Sequence, residues 1–228
     1  MNKENKFNID EWFKKESQSF FRTKGIYPFL PKEYFLYKKT KVSQHPDIFN
    51  KLWLFLTTLE FIPGYIIETG TSYGGLTWII SDMCDSLKWN TKIITIDPFK
   101  TERNNKEIDY MIENCKHRVE YWEKNAWDEE VIKKIKNLTN DKLTLFFLDG
   151  GDKPKDFNIY KNIAKKNDRL LVHDFAKNKE YFTKNIFEKN IWMWNDAVEE
   201  DLSLDYIIRD NMFNELESVC WGTYIKNE

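Results

Sequence analysis

Five acids stand where short apolar runs end. Tyr65-Ile66-Ile67 runs into Glu68, and Ile93-Ile94-Thr95-Ile96 into Asp97. Leu143 to Leu148 runs into Asp149, with Asp152 three residues on, and Leu170-Leu171-Val172 into His173-Asp174. Runs of this kind are what strands buried on both faces show. Ligands of an open parallel sheet bind beyond the carboxyl ends of its strands. The five acids are therefore expected around one cleft.

Glu68 and Asp97 frame a glycine turn, Gly70-Thr71-Ser72-Tyr73-Gly74-Gly75. A dinucleotide pyrophosphate takes Gly-x-Gly-x-x-Gly and a helix N-terminus. Here the spacing is Gly-x-x-x-Gly-Gly, and Glu68 two positions ahead of the first glycine disfavours an anion. A cationic ligand suits it. S-adenosylmethionine carries an ammonium and a sulfonium and has no phosphate. Glycines let the backbone turn sharply and approach such a ligand, so Gly70, Thr71, Ser72, Gly74 and Gly75 are expected to cradle it. Asp97, ending the next strand, is placed to accept hydrogen bonds from both ribose hydroxyls. Ala126 and Trp127 fall where an adenine would lie, and Trp127 either stacks on that ring or only packs.

Asp149 and Asp174 end strands that follow one another, which are neighbours in a doubly wound sheet. Two converging carboxylates repel unless protonated or bridged by a cation. Oxygen donors without cysteine suit Mg²⁺ or Ca²⁺, and a histidine admits Mn²⁺. The alternative is that these acids only cap the helices that follow. Adjacent residues of a strand point to opposite faces. His173 and Asp174 reach one metal only if the strand has bent, so His173 is either a ligand or a core residue behind the site.

The elements that must position these groups alternate strand and helix, the period of a parallel α/β sheet. Strands are predicted at 65–67, 92–96, 118–122, 143–148 and 169–172, with two more at 204–208 and 218–226. Helices are predicted at 46–61, from Leu76 to Leu87, at 105–117, from Val131 to Leu138, at 155–166 and at 192–201. The fold class is α/β, a doubly wound Rossmann-like sheet over 46–228. Residues 1–45 stand apart as an aromatic and basic arm, packed on the domain or a partner subunit, or forming a substrate cap. The arm is a candidate dimer contact, so a homo-oligomer is expected. His45, at the entry of the first helix, reads as a cap or surface residue.

The 228 residues are 41% hydrophobic with a net charge of -2, which gives no global field for nucleic acid. No apolar run reaches membrane-spanning length and no signal peptide is evident, so a soluble cytoplasmic chain is expected. Cys84, Cys115 and Cys220 lack metal-ligand spacing, which fits a reducing compartment.

The run from Ile66 to Gly75, with Leu148-Asp149-Gly150-Gly151-Asp152 and Leu171-Val172-His173-Asp174, resembles the class I S-adenosylmethionine-dependent methyltransferases. It is closest to the branch holding the cephalosporin hydroxylase-like proteins and the macrolide and rhamnosyl sugar O-methyltransferases. The resemblance spans about Ser43 to Tyr224. It implies a seven-stranded sheet with an antiparallel last strand, and a divalent metal (Mg²⁺ or Mn²⁺) held by Asp149 and the pair at 173 and 174. The branch often has Asp-x-x-His, where this chain has Asp152, and a Glu-Asp pair, where it has His173-Asp174.

The activity expected from these readings is O-methylation of a sugar hydroxyl, on a nucleotide-linked sugar of a surface glycan or on a natural product. The metal would lower the hydroxyl's pKa, and Asp152 would take the proton. A small phenol or catechol is the alternative acceptor, and a non-catalytic cofactor-binding scaffold the alternative of a different class. Nucleic-acid methylation is disfavoured by charge and by the lack of an Asn-Pro-Pro-Tyr-like motif.

Overall fold

The structure, a computed structural model, describes residues 17–24, 31–44, 48–100, 104–189, 192, 194–210 and 216–228. Three strands open it: β1 (Ser17–Lys24), β2 (Pro31–Tyr37) and β3 (Thr40–Val42). They pair antiparallel in the order β1-β2-β3, a sheet of their own. The arm, read from its composition only as aromatic and basic, thus contains strands. His45 lies outside the described residues.

The main domain follows in alternation. Helix α1 (Ile48–Thr58) leads into β4 (Tyr65–Thr69), α2 (Gly75–Ser86), β5 (Lys92–Ile96), α3 (Asn105–Cys115), β6 (Val119–Trp122) and α4 (Glu129–Thr139). Then come β7 (Thr144–Leu148), α5 (Lys153–Tyr160), β8 (Arg169–Val172), β9 (Phe175–Ala176), α6 (Lys179–Phe182), β10 (Ala197–Val198), β11 (Ile207–Arg209) and β12 (Gly222–Lys226). The seven-stranded sheet has the order β11-β12-β8-β7-β4-β5-β6. The last strand, β12, runs antiparallel to both of its neighbours, and the strands from β8 to β6 are parallel.

Strand β7 is buried along its whole length because both of its faces are covered. Ile66, Leu145 and Phe147 face α1, α2 and α3. Ile67, Phe146 and Leu148 face α4 and α5. Helix α4 shows how the pattern makes this layer. Val131, Ile135 and Thr139 recur every fourth residue on the buried side, and Lys133, Lys134 and Lys136 between them face water. No described helix is long and apolar enough to cross a membrane.

Two expectations change here. The predicted helix over 192–201 does not form as such: among the described residues Ala197 and Val198 are a strand paired in parallel with Phe175 and Ala176, and only Glu199–Asp201 turns, as a short 3-10 helix. The amides of Asp196 and Ala197 both donate to the Asp174 carbonyl, at 2.9 and 3.1 Å. Those tertiary hydrogen bonds override a helical pattern of weak intrinsic preference. The predicted helix over 155–166 starts at Lys153, with Asp152 as its N-cap, and ends by Tyr160.

The arm is seated on α2. Tyr37 is fully buried, edge-on to Trp78 at 6.2 Å, and its hydroxyl donates to Asp82. Gly75 makes this approach possible, since a Cβ there would lie 2.2 Å from the Lys41 carbonyl oxygen. The glycine expected to admit a cofactor also admits strand β3. A Gly75→Ala substitution should therefore cost about 1–3 kcal/mol in urea unfolding. Gly151→Ala, with nothing within 4 Å of its new methyl, should be near neutral. Equal effects of the two would show that the arm does not press on α2.

Candidate active site

The loops after β4, β5, β6, β7 and β8 open into one cavity of about 690 Å³. Its first half is built around the glycine turn. Gly70 and Ser72 have φ of 86° and 53°, in the left-handed region. A Cβ on Gly70 would fall 2.1 Å from the Asp149 carbonyl oxygen, so the β4 and β7 loops touch there. Asp97 closes the turn from the next strand: its carboxylate accepts from the Ser72 amide at 3.0 Å and the Phe99 amide at 2.9 Å. Burial holds the Asp97 pKa above the usual carboxylate range.

Ala126 and Trp127 line the same half. Trp127 is anchored by its indole N–H, which donates to Asp156 Oδ1 at 2.6 Å. Asp156 Oδ2 accepts from Thr69 Oγ1 at 2.6 Å and from the Gly150 amide at 3.1 Å. One buried carboxylate on α5 thus ties three cavity loops together. Sequence reading missed Asp156, although its position one helical turn after Asp152 was a usable signal.

Of the expected cradle, Gly70, Thr71, Ser72, Gly75, Asp97, Ala126 and Trp127 line the cavity, while Glu68 and Gly74 do not. Glu68 is a correction with a simple cause. Side chains alternate along a strand, and Glu68 shares its face with Ile66, toward α2, whereas Thr69 faces the cavity side. Glu68 is almost fully buried and accepts from the Thr77 hydroxyl and from Thr95 Oγ1 at 2.6 Å. Thr95 also bonds Thr71 Oγ1 at 2.6 Å, so Glu68 braces the turn from behind. Gly74 instead serves the chain's entry into α2, with φ of 80°.

The second half holds Asp149, His173 and Asp174, which offer atoms that all lie within 4.8 Å of one another. The pairing of Leu148 with Val172 brings these strand ends together. The bend that both side chains require is present: Asp174 has φ of 52°. His173 Nδ1 lies 2.8 Å from Asp149 Oδ1 and 3.4 Å from Asp174 Oδ1. Its ring packs against Trp221 at 4.6 Å and Trp192 at 5.3 Å. Burial works to lower the imidazole pKa, but Asp149 and Asp174 outweigh it and hold it above the ordinary value. Burial would raise the Asp174 pKa, but the charges of His173 and Lys153 outweigh it and hold the pKa below its ordinary value.

Lys153 was not foreseen. Its ammonium lies 2.8 Å from Asp174 Oδ2, 3.1 Å from Asp196 Oδ2 and 3.9 Å from Asp149 Oδ1. Burial alone would depress its pKa, yet the surrounding carboxylates raise it. Asp152, the expected base, is exposed and outside the cavity lining. Its Oδ1 accepts from the Lys155 amide at 3.0 Å, the N-cap alternative.

The donor set does not fit a divalent ion as arranged. A carboxylate only accepts, so His173 Nδ1 carries the proton it shares with Asp149; the ring's lone pair is on Nε2, not on the nitrogen that faces the carboxylates. Asp149 Oδ2 accepts from Gln44 Nε2 at 2.8 Å, and Asp174 Oδ1 from Trp192 Nε1 at 2.6 Å. With Lys153 on the fourth oxygen, both carboxylates are satisfied by the chain itself.

A Rossmann-like sheet with a glycine turn, an acid ending the second strand and a polar cluster ending the fourth and fifth defines a class I S-adenosylmethionine-dependent methyltransferase. Residues 35–198 match the family described as Rhamnosyl O-methyltransferase/CmcI, and the chain belongs to it. No curated protein matches the sequence. Among solved structures, CmcI in apo form matches with TM-score 0.56 and 13% identity over 100% of this chain and 88% of that one. A Mg-SAM form of CmcI gives 0.56 and 14% over the same shares. A SAH form gives 0.53 and 12%, over 99% of this chain and 94% of that one. At such identities the likeness is one of fold.

Burial is the main force on Glu68, raising its pKa from 4.5 to about 7. A raised acid favours folding when protonated. Its contribution is fully present below pH 4.5 and is lost as pH rises through about 7. Between pH 4.5 and 8 the wild type should lose about 3 kcal/mol more urea-unfolding free energy than Glu68→Gln. Parallel pH profiles for the two proteins would remove the buried charge from the explanation.

Proposed function

We propose that the chain transfers the methyl group of S-adenosylmethionine to a sugar hydroxyl, with His173 as general base and Asp149 as the group that orients it. The observation that carries this is the Asp149–His173 contact at 2.8 Å, on residues that line the cavity. Nδ1–H donates to Asp149, which leaves Nε2 as the basic nitrogen, the logic of an imidazole oriented by a carboxylate. The hydroxyl oxygen forms the new O–CH₃ bond, its proton passes to His173, and the S–CH₃ bond breaks with its electron pair left on sulfur. Alignment of donor and acceptor supplies much of the rate.

Trp192 and Trp194 on the wall give apolar faces for a sugar ring, and Ser43 and Gln44 give polar groups for its hydroxyls. Lys41 also lines the cavity, which supports a nucleotide-linked sugar whose phosphates it would meet. The cytoplasm is the proposed place of reaction, in keeping with three free, buried cysteines. The divalent ion expected from sequence has no step in this mechanism.

Calorimetric titration should show micromolar binding of S-adenosylmethionine and S-adenosylhomocysteine and none of NAD. A panel of sugar nucleotides and small catechols, read by S-adenosylhomocysteine release, then identifies the acceptor class. Preference for a catechol would overturn the sugar reading. With a turned-over acceptor in hand, His173→Ala and Asp149→Ala should lose at least a hundredfold in kcat, and Asp152→Ala less than threefold. The base must be neutral to act. Because its pKa is raised, the rate should be lost as pH is lowered through a midpoint above 6.5. Asp149→Asn should move that midpoint down, and an unchanged midpoint would take the role from His173.

A further inference from the structure

We infer that Lys153 is the built-in counter-cation of the Asp149–Asp174 pair and keeps a divalent ion out of it. This rests on the methyltransferase reading only in taking the cavity as the active site. Lysine is rarely buried unless paired, yet Lys153 is 7% exposed. It is the first residue of α5, where the helix dipole disfavours a cation. Only the acids around it account for that placement.

Those acids come from three separate parts of the chain. Asp149 follows β7, Asp174 follows β8, and Asp196 lies in the extended stretch before β10. Asp196 is itself fixed by its amide, which donates to the Asp174 carbonyl at 2.9 Å. The ammonium meets Asp174 at 2.8 Å and Asp196 at 3.1 Å, both hydrogen-bond distances. A divalent ion bound to Asp174 would sit within a few ångströms of this ammonium, in a site screened from water where like charges repel strongly.

The neighbouring position adds to the effect. The acidic pair that the family resemblance implies has a carboxylate where this chain has His173. A neutral or cationic ring there removes one negative charge from the set, and its Nδ1–H occupies Asp149 Oδ1. The chain thus carries fewer anionic ligands for a metal than the resemblance implies, and a cation beside them. Sequence alone showed the loss at position 173. The cation at 153 became visible only when the turn of α5 brought the side chain back to the strand ends.

The test is Mn²⁺ binding followed by electron paramagnetic resonance, with wild type, Lys153→Met and Asp149→Asn, each saturated with S-adenosylhomocysteine. Calorimetry of that ligand in the same samples reports separately on the methyltransferase reading and on folding. Wild type is expected to show no Mn²⁺ site tighter than millimolar. Lys153→Met should gain at least tenfold in affinity, and the double variant with Asp149→Asn should lose the gain. A micromolar Mn²⁺ site in wild type that Asp149→Asn abolishes would overturn the inference. A folded Lys153→Met protein that gains no affinity would overturn it as well. If Lys153→Met does not fold, the wild-type and Asp149→Asn titrations still decide whether the pair takes a metal.

Discussion

Two parallel strands that end side by side must put whatever follows them into one place. Here β7 and β8 are followed by Asp149 and by His173-Asp174, and the carboxylates converge in a cavity largely shielded from water. Like charges so placed are intolerable without compensation. The compensation comes from across the chain. Gln44 reaches in from beyond β3, Lys153 from α5, Trp192 from the stretch before β10, and His173 from the bend itself. Gln44 also accepts from the indole of Trp221 at 3.3 Å, so the arm and the approach to β12 are joined through the same site. The two carboxylates thus gather side chains from beyond β3, from α5 and from the stretch before β10 onto the strand ends.

Backbone strain marks the same region. Ser72 and Asp174 both lie in the left-handed region, which side chains with a Cβ rarely adopt. Each holds a turn immediately after a central strand. The Ser72 conformation points its amide at Asp97, and the Asp174 conformation brings its carboxylate onto the same side as His173. Such strain persists where surrounding contacts over-determine it. For Asp174 those contacts are the Trp192 indole, the Lys153 ammonium and the two amides on its carbonyl.

The sheet was legible because buried parallel strands are continuous apolar runs. Lys92–Ile96 and Arg169–Val172 match the predicted bounds, and the acids at strand ends needed only that boundary to be placed. What failed has a common cause. Glu68 was placed at the end of its strand, but which face it takes depends on the phase of the alternation, and one residue separates facing the cavity from facing α2. Asp152 and Lys153 are adjacent, and the cap geometry of α5 turns the first outward and the second inward. The stretch 192–201 and the strands of the arm depend on partners far away in sequence, which local pattern does not carry. Gly75 kept its identity as a close-approach glycine, but the approaching backbone is β3.

The charge arrangement also follows the reaction proposed for it. Methyl transfer removes the positive charge on the cofactor's sulfur and, when His173 takes the proton, creates one on its ring. The reaction therefore moves a single positive charge from the glycine-turn half of the cavity to the Asp149–Asp174 half. In that second half Asp149 and Asp174 face the one Lys153 ammonium, which the half-exposed Asp196 also shares, so the pair is short of positive charge. An imidazolium between Asp149 and Asp174 supplies it. A divalent ion in the same place would overfill the pair before the reaction began and oppose the charge that the reaction delivers. A single lysine leaves the vacancy that a protonated His173 fills, with preorganised carboxylates stabilising charge where it develops.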